Sequence, residues 1–468
     1  MKRFRSKVSK QVSARLLAVL ILSCCGHARA AASELPNFVL ILTDDMGWNG
    51  LSLPADPEIP ESGSSYYQTP HTDRLAQSGI RFSRAYSPSS VCDPTRTSIQ
   101  YGMTPTALGK FATVAPKSLP PPSDAMVSRL KAAFPDYKAA HFGKWHQRSR
   151  TPEDIGFDES DGQTMNDQSK DPFDPKMSFS LAKKANAFIE AQAKAETPFF
   201  LQVSFYANHL KYQALPETIA KYETLSERAT EYHNSPLWAA MNENLDTAVG
   251  SIMEALEEQG LSDNTYIIYT ADNGYESKRD RLLPMSERDF YKSYPLRSHK
   301  YVISEGGIRV PFIVSGPGIP AGVSSRVPVV GWDIMPTVLD LAGASEQIPD
   351  AVEGGSLRSL CFSGGNAEVE RRDPFMVFRS AMAREEQGVF GGVLDVAIIQ
   401  DGYKFYREIE SGNEYLWAIE EDLGESNNLI RVMPELAERL RKNMDAYCER
   451  VGWDQKERAK FLGRKKRG

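Results

Sequence analysis

Three apolar runs constrain the fold of this chain more than any other feature. They are Asn37-Phe38-Val39-Leu40-Ile41-Leu42, Phe199-Phe200-Leu201-Gln202-Val203-Ser204-Phe205 and Thr265-Tyr266-Ile267-Ile268-Tyr269-Thr270. None alternates apolar and polar residues as a half-solvated strand does. Short runs of this kind, rich in β-branched and aromatic residues, suit strands covered on both faces. A shorter run, Tyr137 to Phe142, reads the same way. Between these runs lie helical patterns. Thr69 to Ala76 reads as a capped helix stopped by Gly79, and Trp238 to Gln259 as a long amphipathic helix closed by Gly260. Strands alternating with helices predict an α/β fold, with a large, mostly parallel sheet sandwiched by helices. Near residue 365 the pattern changes. Short strands such as Val393 to Gln400 and Tyr403 to Tyr406 alternate with turns, and a helix closes the chain. The expected organisation is a catalytic α/β domain over 31–364 and a smaller C-terminal subdomain, an antiparallel sheet plus helix, over 365–468.

Residues 1–30 read as an export signal. Lys2, Arg3, Arg5, Lys7, Lys10 and Arg15 form its basic region, Leu16 to Gly26 its apolar stretch and Ala28-Arg29-Ala30 its cleavage site. Lipid attachment at Cys24, after Ile21-Leu22-Ser23, is an alternative. The expected location is the periplasm or the exterior, with no transmembrane helix. Removing residues 1–30 takes away seven of the 55 basic residues and none of the 61 acidic ones, leaving a balance of −13. Such a surface does not attract nucleic acid. An anionic substrate needs a local basic pocket. The remaining cysteines are Cys92, Cys361 and Cys448. Three thiols make no disulfide framework. A Cys361–Cys448 pair is conceivable in an oxidising compartment and leaves Cys92 as the odd one.

Each apolar run ends in residues that carry chemistry. The first ends in Asp44-Asp45. Two adjacent carboxylates after a buried strand repel and call for a partner, for which a hard cation is suited. The others lead into Gly143-Lys144-Trp145-His146, Asn208-His209 and Asp272-Asn273-Gly274. In open α/β sheets, ligands bind beyond the carboxyl ends of the strands. Cys92 stands apart, in Ser90-Val91-Cys92-Asp93-Pro94-Thr95-Arg96. Proline fits the first turn of a helix. Cys92 then lies at a helix N-terminus, where backbone N–H groups favour negative charge. Arg96, four residues on, shares its face. A nucleophile in an anion pocket and a small buried hydrophobe both fit this stretch. His71 reads as structural or surface and His141 as a packed core residue. Residues 51–68 read as a surface loop. Residues 275–300 read as an insertion-like, locally basic loop carrying Lys278, Arg279, Arg281, Arg288, Lys292, Arg297 and Lys300. It could line the entry for an anionic substrate or simply be solvated.

Taken in order across residues 37–430, these blocks resemble those of the type I sulfatases, in the alkaline-phosphatase-like superfamily. The family signature is Cys-x-Pro-Ser-Arg with a Gly six residues after the Arg. Here Thr95 replaces the Ser and Gly102 is in place. The resemblance implies that Cys92 is oxidised to formylglycine (3-oxoalanine) by a formylglycine-generating enzyme, and that its hydrate is the nucleophile. It implies one Ca²⁺, with Mg²⁺ the lesser choice, held by Asp44, Asp45, Asp272 and Asn273 beside the Cys92-derived group. Oxygen donors suit these ions better than Zn²⁺. It places Lys144 and Lys300 on the sulfate oxygens, Arg96 on the hydrate, His209 on the leaving alcohol and His146 as the base that lets sulfate leave. At His209 the family's proline is missing, because Leu210-Lys211 follow. The implied activity is sulfuric ester hydrolysis of an exported substrate, a sulfated saccharide. Trp48, Trp145, Tyr206 and Tyr212 lie near the motifs and offer stacking surfaces for a sugar. Two other readings fit the same blocks: a phosphodiester or phosphonate monoester hydrolase, and a non-catalytic binder of sulfated glycan.

Overall fold

A computed structural model of the chain describes residues 35–110, 119–276, 292–380, 395–409 and 411–453. The export signal, Cys24, most of the basic loop (277–291) and the start of the strand read at Val393 lie outside the described residues.

The apolar runs form the strands expected of them. The main sheet contains β1 (Asn37–Thr43), β2 (Ile80–Phe82), β4 (Lys138–Gly143), β5 (Glu159–Ser160), β6 (Phe199–Ser204), β7 (Thr265–Ala271), β8 (Phe312–Ser315) and β9 (Val323–Ser325), while β3 (Ala85–Tyr86) pairs with β10 (Val329–Val330) beside it. The strand order is β5-β4-β6-β1-β7-β8-β2-β9. β1 pairs in parallel with β6 on one side and β7 on the other. β8 alone runs against its neighbours β7 and β2. Every residue of β1, β6 and β7 is buried, which is why these runs show no alternation.

Helices cover both faces. The main ones are α1 (Pro70–Gln77), α2 (Cys92–Tyr101), α3 (Met126–Ala133), α4 (Ser178–Ala195), α5 (Pro216–Thr224), α6 (Pro236–Glu258), α7 (Ile334–Leu341) and α8 (Pro434–Arg450). Leu201 and Val203 of β6 join one core with Ala185 and Ile189 of α4 and Leu245, Val249 and Ile252 of α6. Gln202, between them, points to the other face and accepts a hydrogen bond from Gln100 of α2 at 2.8 Å. The N-terminus of α1 is capped from a distance. Asp246 on α6 accepts from the His71 and Thr72 N–H groups at 3.0 and 2.8 Å, while Thr69 makes no capping bond of its own. His71 packs its ring against Gly250, a structural role as expected.

Residues 51–68 are only partly a surface loop. Pro57, Glu58 and Glu61 are exposed, but Tyr66 and Tyr67 are buried against Tyr222 and Trp238. Aromatic burial outweighs the polar composition of the stretch.

After residue 365 a meander of β11 (Met376–Arg379), β12 (Val396–Gln400), β13 (Tyr403–Arg407) and β14 (Glu414–Ala418) pairs antiparallel throughout. Its two faces separate with a period of two. Val377, Ile398, Phe405 and Leu416 pack on α8, while Phe378, Ala397, Ile399 and Trp417 pack with Tyr86, Ile308 and Trp332. Lys404 is buried between Glu305 and Glu425, at 3.1 and 2.9 Å. Cys361 and Cys448 are each buried and free, so the conceivable disulfide is not formed.

His141 of β4 is a core residue, as expected. It is fully buried, with Nε2 3.1 Å from Ser204 Oγ. Burial, with a smaller push from Arg96, lowers its pKa to about 3. Between pH 6.5 and 3 the unfolded chain therefore binds a proton at this residue that the folded chain does not. Stability is complete above pH 6.5 and falls as pH is lowered through that window. From pH 6 to 4.5, wild-type stability is expected to fall more steeply than that of His141→Gln, by up to ~1.4 kcal/mol per pH unit. Equal slopes in denaturant titrations would show that the ring is not held neutral.

Candidate active site

The four motif-bearing strands are adjacent, in the order β4-β6-β1-β7. Their carboxyl ends bring Lys144 and His146, His209, Asp44 and Asp45, and Asp272 and Asn273 to one place. Gly143, at φ +95°, makes the turn out of β4. A Cβ there would lie 2.0 Å from the Ser204 carbonyl, which instead accepts the Lys144 N–H at 2.8 Å. Only glycine permits both.

Cys92 is the first residue of α2, as the sequence led one to expect, and Gly102 ends that helix in the left-handed conformation. The Cys92 Sγ lies 3.5 Å from Asp44 Oδ1 and 3.5 Å from Lys144 Nζ. Thr95 turns its hydroxyl to Ser89, accepting from its N–H at 3.1 Å and donating to its carbonyl at 3.2 Å. The hydroxyl ties down the loop before Cys92. Arg96 donates Nε and Nη2 to Asp272 Oδ2 at 2.9 and 2.7 Å, and Nη1 to the Lys144 carbonyl at 2.6 Å. Lys144 Nζ is 2.5 Å from Asp44 Oδ2, and Lys300 Nζ is 2.5 Å from Asp45 Oδ1. His209 Nε2 is 3.8 Å from Asp45 Oδ2. His146 is half-buried and its Nδ1 has no hydrogen-bond partner among the described residues, while Lys144, Arg96 and Asp44 act on its charge. The structure thus brings Asp44, Asp45, Cys92, Arg96, Lys144, His209, Asp272, Asn273 and Lys300 around one acidic centre.

That centre fits a hard divalent cation. Asp44, Asp45, Cys92 and Asp272 place one ligand atom each within 4.8 Å of one another, all buried. Among the described residues, Asp45 Oδ2 and Asn273 Oδ1 are buried with no hydrogen-bond partner. An orphaned oxygen in a protein interior is costly, and the Asp45 carboxylate oxygen and the Asn273 amide oxygen are acceptors that a cation would satisfy. Oxygen donors of this kind suit Ca²⁺ or Mg²⁺.

The electrostatics agree. Burial raises the Asp45 pKa to about 6. Lys300 opposes the shift, while Asp44 and Glu276 add to it. Burial also acts on Asp44, but there Lys144, His209, Arg96 and Lys300 prevail and hold it well below the usual range. The Cys92 thiol is pushed well up by burial and by Asp272, despite its place at a helix N-terminus. Burial and the neighbouring lysines lower the two site histidines, His209 to about 3 and His146 to about 2.

Three of the four aromatic residues near the motifs are not stacking surfaces. Trp48 is buried, with Arg309 over its ring at 4.5 Å and its Nε1 donating to the Ser83 carbonyl. Trp145 is buried against His141, and Tyr206 turns its hydroxyl to Asp167 at 3.2 Å. Tyr212 remains partly exposed. Of the described ends of the basic loop, Glu276, Lys292 and Lys300 are buried, while Tyr294 and Arg297 are exposed. Glu276 was overlooked in the sequence as a site residue. Its carboxylate lies 3.4 Å from Lys300 Nζ and 2.8 Å from the Tyr301 hydroxyl. Its position three residues after Asn273, beyond a motif-bearing strand, is the signal that could have found it.

A sheet covered on both faces, with a buried metal-type cluster at the carboxyl ends of its central strands, is the arrangement of the alkaline-phosphatase-like hydrolases. The Sulfatase family model matches residues 36–344. The chain belongs to the sulfatase family and is a sulfuric ester hydrolase. It is 26% identical over 472 residues to an ulvan-active sulfatase of Formosa agariphila, covering 92% of this chain and 85% of that one. It is 27% identical to N-acetylgalactosamine-6-sulfatase of Canis lupus familiaris over 74% of this chain and 70% of that one. Among solved structures it resembles Ps i-CgsB in complex with k-i-k-neocarrahexaose, with a TM-score of 0.72 and 23% identity, covering 88% of this chain and 92% of that one.

Proposed function

We propose that this protein removes sulfate from a sulfated saccharide, using Cys92 after its conversion to formylglycine and one Ca²⁺ held by Asp44, Asp45, Asp272 and Asn273. The observation that carries the reading is the place of Cys92. It starts α2 between an acidic centre with orphaned oxygens and two buried lysines. A thiol kept protonated there is a poor nucleophile. The hydrated aldehyde would supply one hydroxyl to attack sulfur as the ester S–O bond breaks, and a second whose deprotonation expels sulfate and restores the aldehyde; a cation held by Asp44, Asp45, Asp272 and Asn273 would neutralise sulfate oxygens.

The remaining work falls to the chain's own residues. Lys144 and Lys300 bind sulfate oxygens and stabilise charge as it develops. Arg96, anchored on Asp272 and the Lys144 carbonyl, orients residue 92. His209, at the rim beside Asp45, protonates the departing alcohol, and His146 accepts the proton of the second hydroxyl. Burial and the lysines lower the pKa of both rings, and the negative charge of a bound sulfate ester opposes that shift. The saccharide substrate is supported by the relatives acting on ulvan and N-acetylgalactosamine 6-sulfate. An export signal over residues 1–30 and maturation by a formylglycine-generating enzyme belong to the same reading. Among the described residues, no helix is long and apolar enough to cross a membrane.

The test is mass spectrometry of the Cys92 peptide from protein co-expressed with that maturation enzyme, together with rates on an aryl sulfate and an aryl phosphate diester. The expected result is the aldehyde or hydrate mass, with the sulfate the faster substrate. An unmodified thiol without turnover would sink the mechanism, and a faster diester would move the protein to another branch of the superfamily.

A further inference from the structure

Lys176 is a buried cation that the mechanism above does not use. It is 1% exposed, comparable to Lys144 and Lys300. Its ammonium donates to the Lys211 carbonyl at 3.3 Å and has no ion-pair partner among the described residues. By contrast, Arg96, Lys110, Lys144, Lys300, Arg309 and Lys404 each meet a carboxylate. An ammonium has three donors, and burying one with a single acceptor is unfavourable. The backbone is unusual at the same point. Lys176 and Met177 both have a φ of +56°, a left-handed conformation that β-carbon-bearing residues rarely adopt. Strain of this kind collects at binding and catalytic sites.

The surroundings place Lys176 at the candidate active site. The charges that act on it are Asp44, Lys144 and Asp45. Its own N–H and that of Ser169 donate to Gln213 Oε1 at 3.2 and 3.1 Å, and Gln168 donates to the Leu210 carbonyl at 3.1 Å. These bonds knit the segment carrying Lys176 to the one that follows His209, the residue placed on the leaving alcohol. With His209 on the leaving alcohol, as proposed above, these links put the Lys176 segment on the saccharide side of the scissile bond.

We propose that Lys176 is a specificity residue that binds a second anionic group, a sulfate or a carboxylate, on the saccharide whose sulfate ester is cleaved. This rests on the sulfatase reading and deepens it. The charges are consistent. Arg96, Lys144, Lys300 and Lys176 balance Asp44, Asp45, Asp272 and Glu276, so a divalent cation leaves an excess of two. A sulfate ester takes one charge, and a second anionic group takes the other. Such a lysine would give a chain of negative overall balance a local attraction for a doubly anionic substrate.

The test is calorimetric binding to calcium-loaded protein with Cys92 left as the thiol, so that nothing turns over. Matched methyl glycosides of galactose, glucose and mannose serve as probes: the 2-sulfate, the 2,6-disulfate and the 2-sulfated uronate. The wild type is expected to bind a doubly anionic probe ~10- to 100-fold more tightly than its monosulfated parent. The disulfate and uronate arms tell which anion is taken. Lys176→Met removes the preference and leaves the monosulfated affinity within threefold. Lys176→Arg retains most of it. Because the buried cation has no carboxylate partner among the described residues, Lys176→Met is expected to melt no lower than the wild type. Equal losses on both kinds of probe, no preference in the wild type, or a lowered melting temperature with affinities unchanged would each overturn the proposal. Turnover of an aryl sulfate by converted enzyme tests the sulfatase reading separately.

Discussion

Cys92→Ala is expected to lose sulfate-ester hydrolysis by ~10⁴-fold or more in kcat while keeping its fold, since removing a nucleophile removes the whole covalent route and leaves only binding and electrostatic assistance. The fold should survive. The Sγ occupies a small buried space at the start of α2, and no backbone bond depends on it. The expected cost in stability is about 1 kcal/mol, the usual size for a buried truncation of this kind. Single-turnover rates and melting temperatures measured on the same preparations separate the two effects. Activity within tenfold of the wild type would place the nucleophile elsewhere.

Asp272→Ala is expected to cost ~3–5 kcal/mol in stability, because it leaves Arg96 buried without its main carboxylate. Arg96 is 1% exposed, and its Nε and Nη2 both converge on Asp272 Oδ2. The nearest alternative, Asp44 Oδ1, is 4.0 Å from Nη2. The other oxygen of Asp272 accepts the Asp45 N–H at 3.1 Å, so the same change frees the backbone that holds the acidic pair. Metal binding should fail with it. In the wild type, chelation of Ca²⁺ should lower the melting temperature and added Ca²⁺ should restore it, because an ion bound only by the folded state stabilises by ~4 kcal/mol at a thousand times its Kd. In Asp272→Ala that response should vanish. In Asp272→Asn, which keeps the shape and loses the charge, it should shrink. A variant that melts at the wild-type temperature and still responds to Ca²⁺ would remove Asp272 from both roles.

Much of the site was legible because its determinants are local. A strand buried on both faces shows as an unbroken apolar run, and the residue that ends it is where a parallel sheet presents its chemistry. Asp44, Asp45, Lys144, His146, His209, Asp272 and Asn273 could be placed on that ground. Pro94, the free N-terminus of a short helix and Gly102 placed Cys92 and Arg96. The family resemblance then gave these positions their expected roles.

What the amino-acid sequence alone determined is this set of elements and the residues at their ends, since periodicity, turns and caps act over a few residues. The tertiary structure decided which ends meet. It set the order β4-β6-β1-β7, which brings residues more than 200 positions apart to hydrogen-bond distance, as with Asp45 and Asn273 at 2.7 Å. It capped α1 with Asp246 rather than with Thr69, and it turned Trp48 and Trp145 into core residues. It also left Lys176 buried with no ion-pair partner among the described residues, at a position with no motif around it. Burial and pairing are properties of the packed interior. They depend on what other segments bring to the same place, and no local stretch of the chain carries that information.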